Sequence, residues 1–410
     1  VTPLRGNAAL IVMLGVLTAF GPLSIDLYLP GLPAIGRDFG VSSAYVQQTL
    51  SSFFIGLSLG QLAYGPLSDR FGRRPVMGFG IVLYLLATGY CIVAPGIEAL
   101  VVGRFVQGLG GAAGPVVVRA AVRDVYAGSQ AARALSFVIL VMAIAPLVAP
   151  LFGGLILALV GWRGLFAAML AYGLVCLAVN TFALPETHPP ERRRGRRVGA
   201  MFAAYGQLLR NGLALGYLLC GGLAFGGLFG YVTGASFIYI DVFDIPPQLF
   251  GLYFAVNVLG LVIGNLANGR LVMRFGYRRM LSFGILVMWL GSLALLAGVT
   301  LFPERLLGVA LPLFFAVGPI GVIGANTVAG LMDVMPENAG AASALFGVFQ
   351  FGLGAAAGGV IGLLPTTAPM DVALILGGAS TAALLVNVGL RIREMRAAEA
   401  GAIGGTSRGA

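Results

Sequence analysis

GPLSDRFGRR, residues Gly65–Arg74, returns as GRLVMRFGYR at Gly269–Arg278. The two stretches align at an offset of 204 and share six residues: Gly, Leu, Arg, Phe, Gly and Arg. A second pair keeps the spacing, since Gly153–Gly154 recurs as Gly358–Gly359 at an offset of 205. Two separate motifs at nearly constant spacing argue for duplication of one structural unit.

Each copy is embedded in apolar sequence. Hydrophobic residues make up 59% of the 410 and charged residues 10%, with mean hydropathy +0.96. A soluble domain has roughly 45–50% apolar and about 25% charged residues, so the composition places the chain in the membrane class. A crossing helix needs about 20 predominantly apolar residues. Such runs lie near 8–30, 45–64, 75–95, 98–121, 134–159, 164–184, 213–238, 249–269, 280–302, 306–331, 340–364 and 371–391. The first run continues to Pro30 with no small-residue cleavage site after it and reads as a retained helix. The expected fold is therefore an all-α membrane protein of twelve transmembrane helices, in two pseudo-symmetric six-helix bundles. Residues 1–184 and 213–393 form the bundles, 185–212 a cytoplasmic linker and 394–410 a cytoplasmic tail.

Every one of the 25 basic residues is Arg. With the N-terminus taken as cytoplasmic, only Arg37, Arg163 and Arg305 fall outside and Arg104 within a helix, leaving 21 on the inner side. This is the positive-inside bias, and it puts both termini in the cytoplasm. Topology accounts for the formal charge of +10, and no nucleic-acid partner is needed. Without Lys, a P-loop cannot reach its phosphates and Schiff-base catalysis is excluded. The single His188 sits in a polar loop, and Cys91, Cys176 and Cys220 are scattered in apolar runs. Neither a metal site, a cofactor nor an enzyme's catalytic cluster is expected.

GPLSDRFGRRP resembles the signature loop of the major facilitator superfamily. LVVGRFVQGLGGAAG (Leu100–Gly114) is similar to its proton-coupling motif, with Arg104 at the centre. APLVAPLFGG (Ala145–Gly154) is similar to its antiporter motif through Pro146, Pro150, Gly153 and Gly154, with Ala149 where a Gly is usual. LSIDLYLPGLP, VRDVY, LPETHPPERR and MPENAGAASAL resemble the bicyclomycin/chloramphenicol-resistance branch of drug:proton antiporters. The resemblance covers essentially the whole chain. It implies export of small amphipathic drugs in exchange for protons across the bacterial inner membrane by a monomer. Export of a metabolite such as an amino acid stands as the alternative.

Asp26 is the acidic residue well inside a span. A charge at the bilayer centre costs about 2.5–3.5 kcal/mol on the insertion scale, so Asp26 should face a cavity and serve a function. The resemblance puts an essential acid at the matching position. Arg104, expected to be the only Arg inside a span, should lie at comparable depth, where an ionic or water-bridged pair with Asp26 and a purely structural role are both open. Asp69, Arg73 and Asp124, with Gly65 in the turn, are expected to form a latch closing the two halves at the cytoplasmic face. Asp69 would meet the N-terminus of the eleventh helix, and Met273 in the second copy would leave that latch weaker, with Asp333 offered to Arg278. The family's cavity helices implicate Tyr28, Gln107, Tyr231, Asn257, Asn326 and Gln350 in substrate binding, although each can equally bond a neighbouring helix.

Overall fold

A computed structural model describes residues 8–126, 128–192, 198–361, 364 and 368–406. Arg5, Arg193, Arg194, Arg196, Arg197 and Arg408 therefore lie outside the described residues. The chain forms helices throughout, with no strand among the described residues. In order they are α1 (Ala8–Thr18), α2 (Phe20–Asp26), α3 (Leu32–Phe39), α4 (Ser43–Phe71), α5 (Arg73–Ile92) and α6 (Ile97–Gly111). There follow α7 (Ala113–Val125), α8 (Gly128–Val160), α9 (Trp162–Ala178), α10 (Val198–Arg210) and α11 (Gly212–Ser236). The rest are α12 (Pro247–Leu301), α13 (Leu306–Val317), α14 (Ile320–Val334), α15 (Ala339–Ile361) and α16 (Ala368–Thr406).

Among the described residues nine helical segments are long and apolar enough to cross a membrane, and the first segment is a tenth if its bend is counted within one span. Two of the sequence expectations explain the difference from twelve. The 55-residue α12 holds two arms that meet at Gly276 (φ 76°, ψ 153°). The 29-residue α4 is long enough to span but carries polar residues along its length. With those allowances the helices are consistent with twelve crossings, and the chain is a multi-pass membrane protein.

The repeated motif is not the loop that its polarity suggests. α4 stays helical through Asp69 to Phe71, and α5 begins at Arg73. Gly72 alone turns the chain, at φ 100° and ψ 160°. Its repeat partner Gly276, 204 residues on, does the same. Both sit in a backbone region that side-chain-bearing residues rarely enter, so the recurring Gly marks a shared hairpin between antiparallel helices.

The first span is bent by 43° between α1 and the segment from Phe20 to Phe39. Pro22, Pro30 and Pro33 lie in that stretch, where each removes a backbone donor and resists a straight helix. The linker is partly ordered as α10, and α16 runs on to Thr406, so the tail set apart from 394 continues the last helix. The helices pack backbone to backbone where glycine allows it. A Cβ on Gly56 would meet the Phe105 carbonyl of α6, and one on Gly108 the Phe53 carbonyl of α4. Small residues at such crossings are how helices associate where lipid supplies no hydrophobic drive.

Candidate functional site

Arg104 is fully buried in α6. Its Nη1 donates to Gln107 Oε1 at 2.5 Å, one turn along the same helix, and its Nη2 to the Ser24 carbonyl at 3.1 Å. The guanidinium also lies between the rings of Tyr28 and Phe53, 4.4 and 4.2 Å from their centroids. A planar delocalised cation suits that sandwich far better than an ammonium would. Gln107 passes the network on, donating to Thr88 Oγ1 at 2.7 Å. Tyr28 shares a hydrogen bond with Thr49 Oγ1 at 2.9 Å.

Asp26, 5% exposed, is the last residue of α2. It stands two residues from the carbonyl that Arg104 holds, and among the described residues it has no hydrogen-bond or ion-pair partner. The Asp26–Arg104 ion pair offered by their depth is thus absent from this arrangement. Depth along a helix does not fix direction, and Arg104 is already engaged by an amide, a carbonyl and two aromatic faces. Nor is Arg104 the only Arg within a span. The fourth span continues through α7, where Arg119 donates to the Pro115 carbonyl at 2.9 Å and to Ser343 Oγ of α15 at 3.4 Å.

The C-terminal half carries an uncharged counterpart. Asn257 of α12, 1% exposed, donates through Nδ2 to Tyr231 Oη (2.9 Å) and Tyr239 Oη (3.2 Å). Its Oδ1 is buried without a partner among the described residues. Tyr231 stacks on Phe254 with centroids 6.0 Å apart. Asn326 behaves as a structural residue, donating to Asn268 Oδ1 and the Val322 carbonyl, both at 2.7 Å. Gln350 is half-buried in α15 and does not join either cluster.

At the end of the bundle rich in arginine, Arg73 is the hub. Its Nη1 donates to Asp69 Oδ1 (2.6 Å) and Ser68 Oγ (2.7 Å), and its Nε to Asp124 Oδ2 (2.8 Å). These partners come from α4 and α7, so the bonds of Arg73 bind the first half to itself. Other residues of the first half reach α15 at this end. Gln61 of α4 sits where a Cβ on Gly347 of α15 would go, Ser58 Oγ donates to the Val348 carbonyl at 3.1 Å, and Arg119 reaches Ser343. Gly65 contributes its carbonyl to Ser68 Oγ at 3.0 Å.

Sequence reasoning missed Glu186. Gly72 gives α5 no side-chain cap, and Glu186 supplies one from the linker, accepting from the backbone amides of Arg73 (2.9 Å) and Arg74 (3.2 Å). A carboxylate there answers both the orphan amides and the positive end of the helix dipole. In the second half Arg278 pairs with Asp333, as offered, and with Glu394, each at 3.4 Å. Glu394 also accepts from Tyr217 and Arg391. Each half therefore ends on an acid that returns to its own helix hairpin. Tyr205 of α10 lies near the Asp69 carboxylate of the first half, and burial pushes its phenol up to about 12, with that charge adding to the rise.

Pro146 and Pro150 lie inside α8. A Cβ on Gly153 would strike the Leu27 carbonyl, and one on Gly154 the Pro247 carbonyl of α12. Both glycines thus permit close contact at the end opposite the arginines, the second of them across the two halves. Arg37 and Asp241 pair there as well, at 3.4 Å.

The family model described as Major Facilitator Superfamily matches residues 14–359. The chain belongs to the major facilitator superfamily and is a membrane transporter. Within that superfamily it falls in the bicyclomycin/chloramphenicol-resistance branch, as its relatives indicate. It is 34% identical over 365 residues to a bicyclomycin resistance protein homolog of Haemophilus influenzae, covering 88% of this chain and 91% of that one. It is 30% identical to multidrug resistance protein D of Escherichia coli, covering 90% and 92%. A chloramphenicol resistance protein of Pseudomonas aeruginosa is 29% identical, over 87% and 83%. The E. coli xylose transporter XylE, in a partially occluded inward-open conformation, shares the fold with a TM-score of 0.70 at 16% identity, covering 92% and 97%.

Proposed function

We propose that the protein is a proton-coupled antiporter exporting small amphipathic compounds, such as phenicol-type or bicyclomycin-type antibiotics. It works as a monomer in the bacterial inner membrane with both termini cytoplasmic, its two six-helix bundles rocking about the seams α4–α15 and α8–α12. The names of its relatives supply the substrate class. The observation that carries the coupling is Asp26: a carboxyl buried at the end of α2 in the first span, with no hydrogen-bond or ion-pair partner among the described residues. Such a group can exchange its proton for a substrate contact without first breaking a salt bridge. Arg104 acts as a positioning residue, because its bond to the Ser24 carbonyl fixes the segment that ends at Asp26.

Tyr28, Gln107, Tyr231 and Asn257 are proposed as the polar fixtures of the substrate path, with Asn257 Oδ1 the acceptor for a donor group on the cargo. A mostly apolar path with few polar groups suits lipophilic cargo of loose specificity. The Arg73, Asp69 and Asp124 cluster is proposed to stiffen the cytoplasmic ends of the first bundle, so that Gln61 and Arg119 are presented to α15 as the gate.

The test uses everted vesicles energised to an acidic interior. Adding a phenicol should make the wild-type lumen more alkaline, and Asp26→Asn vesicles should not respond. An equal response in both would remove Asp26 as the coupling group. Silence of the wild type toward a panel of antibiotics would leave the family intact and turn the cargo toward a metabolite.

A further inference from the structure

Two hollows lie on one face of α11, on the outer flank of the second half. The first, about 230 Å³, opens between α11 and α16 and is lined by Leu215, Gly216, Leu219, Val386, Gly389 and Leu390. Arg393 stands at its head, on the arginine-rich end. The second, about 220 Å³, continues the line of α11 at Leu223 and Gly226 and meets Gly378 of α16. The α11 residues recur every three or four positions, which places them on one stripe of the helix. From Gly212 to Gly226 the stripe rises about 21 Å, enough to cross the roughly 15 Å hydrocarbon depth of one leaflet.

On the α16 side Gly378 and Gly389 line the hollows, and at neither does anything lie within 4 Å of where a Cβ would sit. Many glycines in the bundle let another helix approach, whereas these two face open space. The head of the furrow is cationic. Arg393 is exposed and spends one donor on the Gly212 carbonyl, at 3.3 Å. Arg210, exposed at the end of α10, is two residues from that carbonyl. Neither has a carboxylate partner among the described residues, while the nearby Glu394 is occupied by Arg391, Arg278 and Tyr217. An elongated apolar trough topped by two uncommitted guanidinium groups matches one kind of occupant in a bilayer.

We infer that the furrow between α11 and α16 binds one anionic phospholipid, its acyl chain lying along the bare glycines and its phosphate held by Arg393 and Arg210. The fork of donors on Arg suits a phosphate. The site is remote from Asp26 and does not depend on what the protein exports. Because α11 also carries Tyr231, a bound lipid would brace a helix that contributes to the proposed substrate path.

The experiment is a titration of the delipidated full-length protein with phosphatidylglycerol or phosphatidylcholine of identical chains, with bound lipid counted by native mass spectrometry. Wild type should hold one phosphatidylglycerol in preference to phosphatidylcholine. Arg393→Gln and Arg210→Gln should each reduce that preference about fivefold, the equivalent of about 1 kcal/mol per Arg, and weaken phosphatidylcholine, whose phosphate is offset by its own choline cation, to a smaller extent. Gly389→Leu, which grows into open space, should weaken both lipids while the thermal midpoint holds. Equal binding of the two lipids by wild type overturns the proposal. So does retention of the full preference by both Arg variants, or full binding by a folded Gly389→Leu protein.

Discussion

Arg73 and Arg278 occupy neighbouring positions of the same repeated hairpin, yet their removal should cost very different amounts. The Arg73 side chain is 5% exposed and bonds Asp69 and Asp124, whose side chains are 17% and 16% exposed, at 2.6 and 2.8 Å. Hydrogen bonds to charged groups contribute about 1.5–3 kcal/mol each, and discounting the two by about half for the partial exposure of the carboxylates leaves about 1.5–3 kcal/mol for Arg73→Gln. The substitution also removes the guanidinium that the two carboxylates share. Arg278 is 51% exposed and its contacts to Asp333 and Glu394 are both 3.4 Å. An ion pair of that kind contributes under about 1 kcal/mol, so Arg278→Gln should be mild.

The assay is unfolding by denaturing detergent, followed by tryptophan fluorescence. The chain has two Trp residues, Trp162 in the first half and Trp289 in the second, so single-Trp variants report each half separately. Arg73→Gln should shift the Trp162 transition strongly and the Trp289 transition little. The reasoning is refuted if Arg278→Gln destabilises its half as much as Arg73→Gln does the other, because burial and bond length would then not be what separates them.

Three further outcomes follow from the same geometry. Glu186→Ala should expose the Arg73 and Arg74 amides, costing about 1 kcal/mol, seen as faster hydrogen exchange at the start of α5 with the rest of that helix unchanged. Gly347→Val should collide with Gln61 and slow export, and adding Gln61→Ala should restore much of the rate. If the double variant is no better than the single one, the α4–α15 seam is not the obstacle. Asn257→Leu should break the bonds to Tyr231 and Tyr239, at about 0.6–1.7 kcal/mol each in a membrane protein. It should raise the half-saturating concentration for cargo that donates a hydrogen bond, and matter less for cargo that cannot.

How far the sequence could be read depends on whether a property is periodic, compositional or tertiary. The duplicated hairpin was legible because Gly72 and Gly276 are both needed for a backbone turn that other residues resist, and a backbone requirement leaves the same letter in both copies. The asymmetric placement of Arg was legible because it is a sum over loops and tolerates errors in any one boundary. Glu186 was not, although LPET stands out beside the arginine run. Its role is to cap a helix 113 residues earlier, and no local spacing encodes which N-terminus a linker acid will meet. That Asp26 and Arg104 form no direct ion pair has a related reason. Apolar runs give the depth of each residue, but a cation's choice among partners is set by which neighbours the folded helices bring within 3 Å. Arg104 meets Gln107 on its own helix and the Ser24 carbonyl, left free where the Tyr28 amide turns to Ile25 instead, and both lie closer to hand than the carboxylate two residues further on. With Arg104 so engaged, Asp26 stands without a hydrogen-bond or ion-pair partner among the described residues, and the proposed proton exchange rests on that geometry.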